Sequence, residues 1–230
     1  MHSSTNQHLA PSSWRLFFDL DGTLSDPKEG MTRSFQHAMK SLGRLSPSAS
    51  ELTQFIGPPL RWTMTRLLSS DDPELIEQGV RYYRQYFGDR GLFENAVYEG
   101  IPPLLEALQS EGFPLYVVTS KPTAFAERII RHFGLDHHFL RVFGPEFDGH
   151  FDDKADLLAH VLRTLAADPA RTIMIGDRAT DMLAGKRNGT RTIAVTYGFA
   201  APGELTATSP DRMCSNPAEI QPAVLSLVSA

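Results

Sequence analysis

The run FFDLDG at residues 17–22 carries an apolar stretch straight into Asp19 and Asp21. Residues i and i+2 of an extended strand share a side, so the two carboxylates face the same way while Leu20 points away. A second pair of acids, Asp177 and Asp181, stands four residues apart in GDRATD. Thr119 and Ser120 close the run PLYVVTS, and Lys154 opens the segment KADLLAHVLRTL. Carboxylates crowded at one place raise each other's pKa, and burying them unpaired is costly. A divalent cation resolves that conflict. With oxygen ligands only, and no Cys or His among them, the set suits Mg²⁺, which keeps some of its waters and leaves room for a phosphate oxygen. The acids that would surround the cation are Asp19, Asp21, Asp177 and Asp181. Asp19 is placed to attack phosphorus and Asp21 to handle a proton. Thr119 and Lys154 supply a donor and a positive charge to the phosphoryl group.

Such a cluster needs a scaffold that ends several strands at one edge. Four short runs are apolar on both faces, as buried parallel strands are: residues 14–20, 114–120, 172–177 and 192–198. A weaker run covers 138–144, and DRMC at 211–214 offers a last strand. Helical patterns separate the later runs. Residues 122–134 start with proline and stop at glycine, 153–165 repeat Leu157, Val161 and Leu165, and 179–189 end on a basic turn and a glycine. This alternation predicts an α/β fold with a doubly wound parallel sheet, and ligands bind at the carboxyl ends of such strands.

The first interval breaks the rhythm. Between Leu20 and Leu115 no buried strand stands out, and helical patterns at 30–43, 46–57, 59–68 and 72–88 are punctuated by Gly, Pro and Asp. Four or five helices cannot all lie on the sheet. The expected organisation is a disordered arm at 1–13, an α/β core at 14–25 and 96–230, and an all-helical cap inserted at 26–95.

Composition narrows the function. At 230 residues and 41% hydrophobic content the chain can bury a sizeable core, and a formal charge of −5 is mild. No cluster of Lys and Arg tracks a nucleic-acid backbone, so no nucleic-acid partner is expected. No apolar stretch is long enough to span a membrane, and residues 1–13 lack the cationic and apolar regions of a secretory signal. A single cysteine, Cys214, reads as a small hydrophobe near a strand end in a reducing compartment. The expectation is a cytoplasmic monomer or homodimer acting on a small phosphorylated molecule.

DLDGTL at 19–24, VVTS at 117–120, Lys154 and GDRATD at 176–181, in this order, resemble the four motifs of the haloacid dehalogenase-like hydrolase superfamily. The resemblance runs from about Trp14 to the end, and the insert after the first motif is similar to the cap of the phosphoglycolate phosphatase-like branch. It implies that Asp19 forms an aspartyl-phosphate, and that Asp21 protonates the leaving group and then activates water. It implies also that Asp19, the backbone carbonyl of Asp21 and Asp177 hold Mg²⁺, with Asp181 ligating directly or through water. QFIGPPL at 54–60 looks like a substrate-facing cap segment, and TSKP with DGHFDDKAD resembles members named 5′-nucleotidases. Phosphoglycolate phosphatases and sugar-phosphate mutases of the branch usually carry proline after the motif lysine, where this chain has Ala155.

Other residues have two readings. Lys154 at a helix start sits where a cation is disfavoured, and a bound phosphate gives the reason. Lys121 either touches substrate or is solvated. Arg61 and Trp62 are placed to read the leaving group, although helical spacing makes Trp62 a packing residue. Ser120 is expected to bind substrate alongside Lys121 and Arg61. His137 and His138 read as surface, and VRYYRQYF at 80–87 as the core face of a cap helix. Two rival functions remain: transfer of the phosphoryl group to a sugar, and a non-catalytic phospho-accepting module. Asp21 and the large insert oppose the second.

Overall fold

The computed structural model describes residues 11–229. Of the arm expected at 1–13, residues 1–10 lie outside the described residues, and Pro11–Ser13 form a single 3-10 turn. Six parallel strands make the main sheet: β1 (Arg15–Phe18), β4 (Leu115–Val118), β5 (Arg141–Phe143), β6 (Thr172–Gly176), β7 (Arg191–Val195) and β8 (Arg212–Cys214). Their order is β5-β4-β1-β6-β7-β8. The chain thus winds outward from β1 in one direction through β4 and β5, and in the other through β6, β7 and β8. β1 is the topological switch point, and a crevice opens where β1, β4 and β6 end.

The alternation of side chains explains why these runs are apolar throughout. Leu16 and Phe18 face one side with Val117, Ile173 and Ile175, while Phe17 faces the other with Tyr116, Val118 and Met174. Both sides are covered. Helices α7 (Lys154–Thr164) and α8 (Ala179–Arg187) place Leu157, Val161 and Ala184 under Phe17. On the opposite side α5 (Ile101–Ser110), α6 (Thr123–His132) and α10 (Ile220–Val228) contribute Leu105, Ile129 and Val224. A short helix, α9 (Glu204–Ala207), follows β7.

The interval after β1 contains α1 (Lys28–Ser41), α2 (Ala49–Leu52), α3 (Leu60–Leu68) and α4 (Pro73–Tyr86). α4 starts where Asp72 accepts a hydrogen bond from Glu74 N at 3.0 Å, with Pro73 in the first turn. It runs on into a π-helical turn, Phe87–Gly91. That turn approaches α1 so closely that a Cβ on Gly30 would strike the backbone of Gly91, which leaves room for glycine only. Phe35 of α1 packs against Tyr83 at 4.7 Å, and Phe87 against Phe125 of α6 at 5.4 Å. Buried side chains of the insert and of the sheet therefore form one continuous cluster.

Three details differ from the sequence reading. The helix expected at 46–57 is only α2 followed by a 3-10 turn, Thr53–Phe55. A two-stranded antiparallel ribbon, β2 (Ser25–Asp26) with β3 (Ala96–Val97), joins the two ends of the insert. It is too short to show a periodic pattern. His138 is buried rather than on the surface, because Gln109 of α5 offers its Oε1 at 2.6 Å from Nδ1 and satisfies the ring.

Candidate active site

Asp19 leaves β1 still bound to the sheet, its N–H donating to Ile175 O at 2.9 Å. Its Oδ1 accepts from Leu20 N at 2.8 Å, and Oδ2 lies 3.0 Å from Lys154 Nζ. The chain then turns at Gly22, with φ +82°, where a side chain would collide with the Asp177 carboxylate. This turn sets Asp21 beside Asp19. Asp177 follows β6 directly, and Phe199 N donates to its Oδ2 at 2.7 Å. Asp181 lies in the first turn of α8, where its Oδ2 accepts from Arg178 N at 3.0 Å. Asp19, Asp177 and Asp181 each bring a carboxylate oxygen to within 4.8 Å of the others.

Two lysines reach into the cluster. Lys154 is brought by the first turn of α7, which Asp153 caps by accepting from Ala155 N at 2.9 Å and Asp156 N at 3.0 Å. Its ammonium touches both Asp19 and Asp181. Lys121 comes from the loop after β4, its Nζ 2.7 Å from Asp21 Oδ2 and 4.3 Å from the centre of the Phe87 ring. Lys121 is thus a buried member of the site and not a solvated residue. Thr119 continues β4 by donating to Phe143 O at 3.0 Å, and its Oγ1 accepts from Lys121 N at 3.2 Å. The Thr119 hydroxyl donates to no group among the described residues.

The electrostatics test whether a cation belongs here. Asp19, Asp21, Asp177 and Asp181 are all buried, and the cations in contact with them among the described residues are Lys121 and Lys154. Asp21 pairs with Lys121, Asp19 and Asp181 share Lys154, and Asp177 touches neither lysine. Burial, followed by Asp181 and Asp19, pushes the Asp177 carboxyl well above its ordinary range. Burial also raises Asp181 and Asp21, each held back mainly by its own lysine. Burial works against the Lys154 ammonium, but Asp181 and Asp19 outweigh it and raise its pKa. Asp177 Oδ1 and Asp21 Oδ1 are buried with no hydrogen-bond partner among the described residues. A hard divalent cation matches the charge, the oxygen donors and the orphaned lone pairs.

The site opens into a cavity of about 60 Å³ lined by Asp19, Asp21, Thr119, Ser120 and Lys121 and walled by Phe35, Tyr83, Phe87 and Phe125. Arg61 of α3 lines it too, but its guanidinium is taken: Glu77 lies 2.5 Å from Nε and Phe147 O 3.1 Å from Nη2. Trp62 does not line the cavity. It is 48% exposed, with the Arg66 guanidinium 5.3 Å from its ring. Two further charged residues, Arg84 and Asp152, line the cavity and carry no local signal in the sequence. Arg84 falls within the helical period of α4, and Asp152 lies in an irregular loop with no period to mark it.

Three comparisons bear on this geometry. A family model described as haloacid dehalogenase-like hydrolase matches residues 16–195. Among curated proteins, a 5′-nucleotidase of Pseudomonas aeruginosa is 44% identical over 206 residues, 90% of this chain and 93% of that protein. The tyrosine-protein kinase PtkA of Mycobacterium tuberculosis is 37% identical over 194 residues, 84% of this chain and 66% of that protein. Among solved structures, that of a predicted phosphatase from Clostridium acetobutylicum superposes with a TM-score of 0.88 at 36% identity, covering 93% of this chain and 99% of that one.

Proposed function

We propose, for a chain that belongs to the haloacid dehalogenase-like hydrolases and is a phosphatase of that family, that it hydrolyses a small phosphorylated metabolite through a phosphoaspartate on Asp19. The observation that carries this is the convergence of Asp19, Asp177 and Asp181 within 4.8 Å, with Lys154 3.0 Å from Asp19 and Lys121 2.7 Å from Asp21. Mg²⁺, held by Asp19, the Asp21 backbone carbonyl, Asp177 and Asp181, would neutralise phosphate charge and favour displacement at phosphorus.

The residues then divide the work. Thr119 donates its hydroxyl proton to a phosphoryl oxygen, Ser120 lines the same wall, and the Lys154 ammonium offsets the phosphoryl charge. An Asp19 carboxylate oxygen bonds to phosphorus as the ester P–O bond breaks, and Asp21, whose carboxyl is raised by burial and which takes up a proton as the phosphomonoester monoanion binds, passes that proton to the leaving oxygen. In the second half Asp21, now a carboxylate, takes a proton from water. The water oxygen bonds to phosphorus, the bond to Asp19 breaks, and inorganic phosphate leaves. The helical insert at 26–95 acts as a cap that keeps bulk water from the phosphoenzyme and reads the leaving group.

Both 5′-nucleotides and phosphoglycolate belong to the substrate range this reading supports. Transfer to a hydroxyl acceptor is a second reading, favoured by the similarity to a protein named as a tyrosine kinase. The deciding experiment follows phosphate release from p-nitrophenyl phosphate by the wild type and Asp19→Asn, with mass spectrometry of the quenched protein for phosphate on Asp19. Release that persists in the variant overturns the assignment, and transfer to an added alcohol with no free phosphate favours the second reading.

A further inference from the structure

Of the charged side chains that line the cavity, Arg84 is the one with no ion pair among the described residues. Arg84 projects from α4 into the space that Asp19 and Asp21 also line. Its Nε is buried with no hydrogen-bond partner, and no carboxylate lies within ion-pair distance of it among the described residues. The guanidinium instead packs over the Phe147 ring, 4.8 Å from its centre. A stacked guanidinium has satisfied its faces only. Its N–H donors lie in the plane and point elsewhere.

The nearby acids do not meet that demand. Glu77 binds Arg61 at 2.5 Å, and Asp152 Oδ2 lies 3.7 Å from Arg61 Nη1, so Arg61 is bracketed by two carboxylates while Arg84 touches neither. Burial, and then the neighbouring Arg61, lower the Arg84 pKa and so penalise its charge. Leaving the buried Nε–H of a guanidinium without an acceptor costs free energy. A site for an acceptor that arrives with the substrate accounts for it.

We propose that Arg84 is a specificity-determining residue, binding a carboxylate or phosphate carried by the leaving group of a compact phosphoester or phosphoanhydride. Size supports the compactness. A cavity of about 60 Å³ holds about four to six waters, which matches a phosphoryl group with a few further atoms. The aromatic wall of Phe35, Tyr83 and Phe125 contributes shape, and Arg84 is the group that distinguishes a charged leaving group from an uncharged one of equal size. This rests on the phosphatase reading above and narrows its substrate class.

The test compares kcat/KM for 2-phosphoglycolate and pyrophosphate with that for 2-hydroxyethyl phosphate, which matches phosphoglycolate in size but lacks the second anion. The expected result is a wild-type preference for an anionic probe. In Arg84→Gln that preference falls by roughly 10- to 100-fold, chiefly through KM, and Arg84→Lys recovers part of it. Whichever probe loses more identifies the anion as carboxylate or phosphate. A ratio that Arg84→Gln leaves unchanged overturns the proposal, as does a wild type that prefers 2-hydroxyethyl phosphate or AMP. p-Nitrophenyl phosphate separates the two levels of argument. Its turnover with an unchanged ratio removes only the role of Arg84, whereas no turnover of any ester removes the phosphatase reading as well.

Discussion

The ammonium of Lys121 stands 2.7 Å from Asp21 Oδ2, and both side chains are more than nine-tenths buried. The pair ties the loop after β4 to the turn after β1, so one contact holds two edges of the crevice in register. Breaking a buried pair from one side leaves the other charge stranded, a loss of about 3–5 kcal/mol. Lys121→Met is expected to lower the urea unfolding free energy by about that much. Adding Asp21→Asn should return most of it. A double-mutant cycle with no coupling would show that the two groups do not interact.

Asp19→Asn should cut turnover of p-nitrophenyl phosphate by roughly 10⁴-fold or more, the scale on which nucleophiles are lost. The same change should leave the protein folded with little change in stability, because it relieves the repulsion that raises Asp177 while Lys154 loses Asp19 and keeps Asp181. Far-UV circular dichroism and a melting curve check both statements. A variant that melts well below the wild type would make its inactivity uninformative and count against the electrostatic account.

Removing divalent metal with EDTA should abolish turnover, and Mg²⁺ should restore it. Binding to the folded state alone stabilises by linkage, about 2.7 kcal/mol when free Mg²⁺ is 100 times its dissociation constant. Mg²⁺ should therefore raise the melting temperature of the EDTA-treated wild type and not that of Asp177→Asn. Equal shifts in both proteins would place the ion elsewhere.

His138 gives an acid-side dependence of stability away from the site. Burial, and then His137, lower its pKa below the ordinary 6.5. The unfolded chain therefore takes up the proton first as pH falls. The stability held above pH 6.5 is lost progressively as pH drops from there through the folded-state value. Denaturation at pH 8 and pH 5 should show a smaller difference for His138→Leu than for the wild type. Identical differences would mean that other groups set the slope.

What the sequence made legible follows from local rules. Asp19, Asp21, Thr119, Asp177 and Lys154 each stand at the end of a buried run or the start of a helix, and a parallel sheet sends all such ends to one edge. Their convergence was readable because period and punctuation alone place them. Arg61 was readable only as a residue of the insert. That Glu77 and Asp152 occupy it depends on α4 and on the loop before α7, which nothing in its own neighbourhood reveals.

Arg84, Lys121 and His138 show where local reading stops. Each takes its character from a partner far along the chain: Phe147 for Arg84, Asp21 for Lys121, Gln109 for His138. The succession of strands along the chain, the acids at their ends and the helical nature of the insert were decided by the sequence itself, since they need only propensity and periodicity. Which cation is paired, which is left with free donors and how small the cavity is were decided by tertiary packing, because charge pairing and excluded volume depend on distances between segments that the sequence keeps apart.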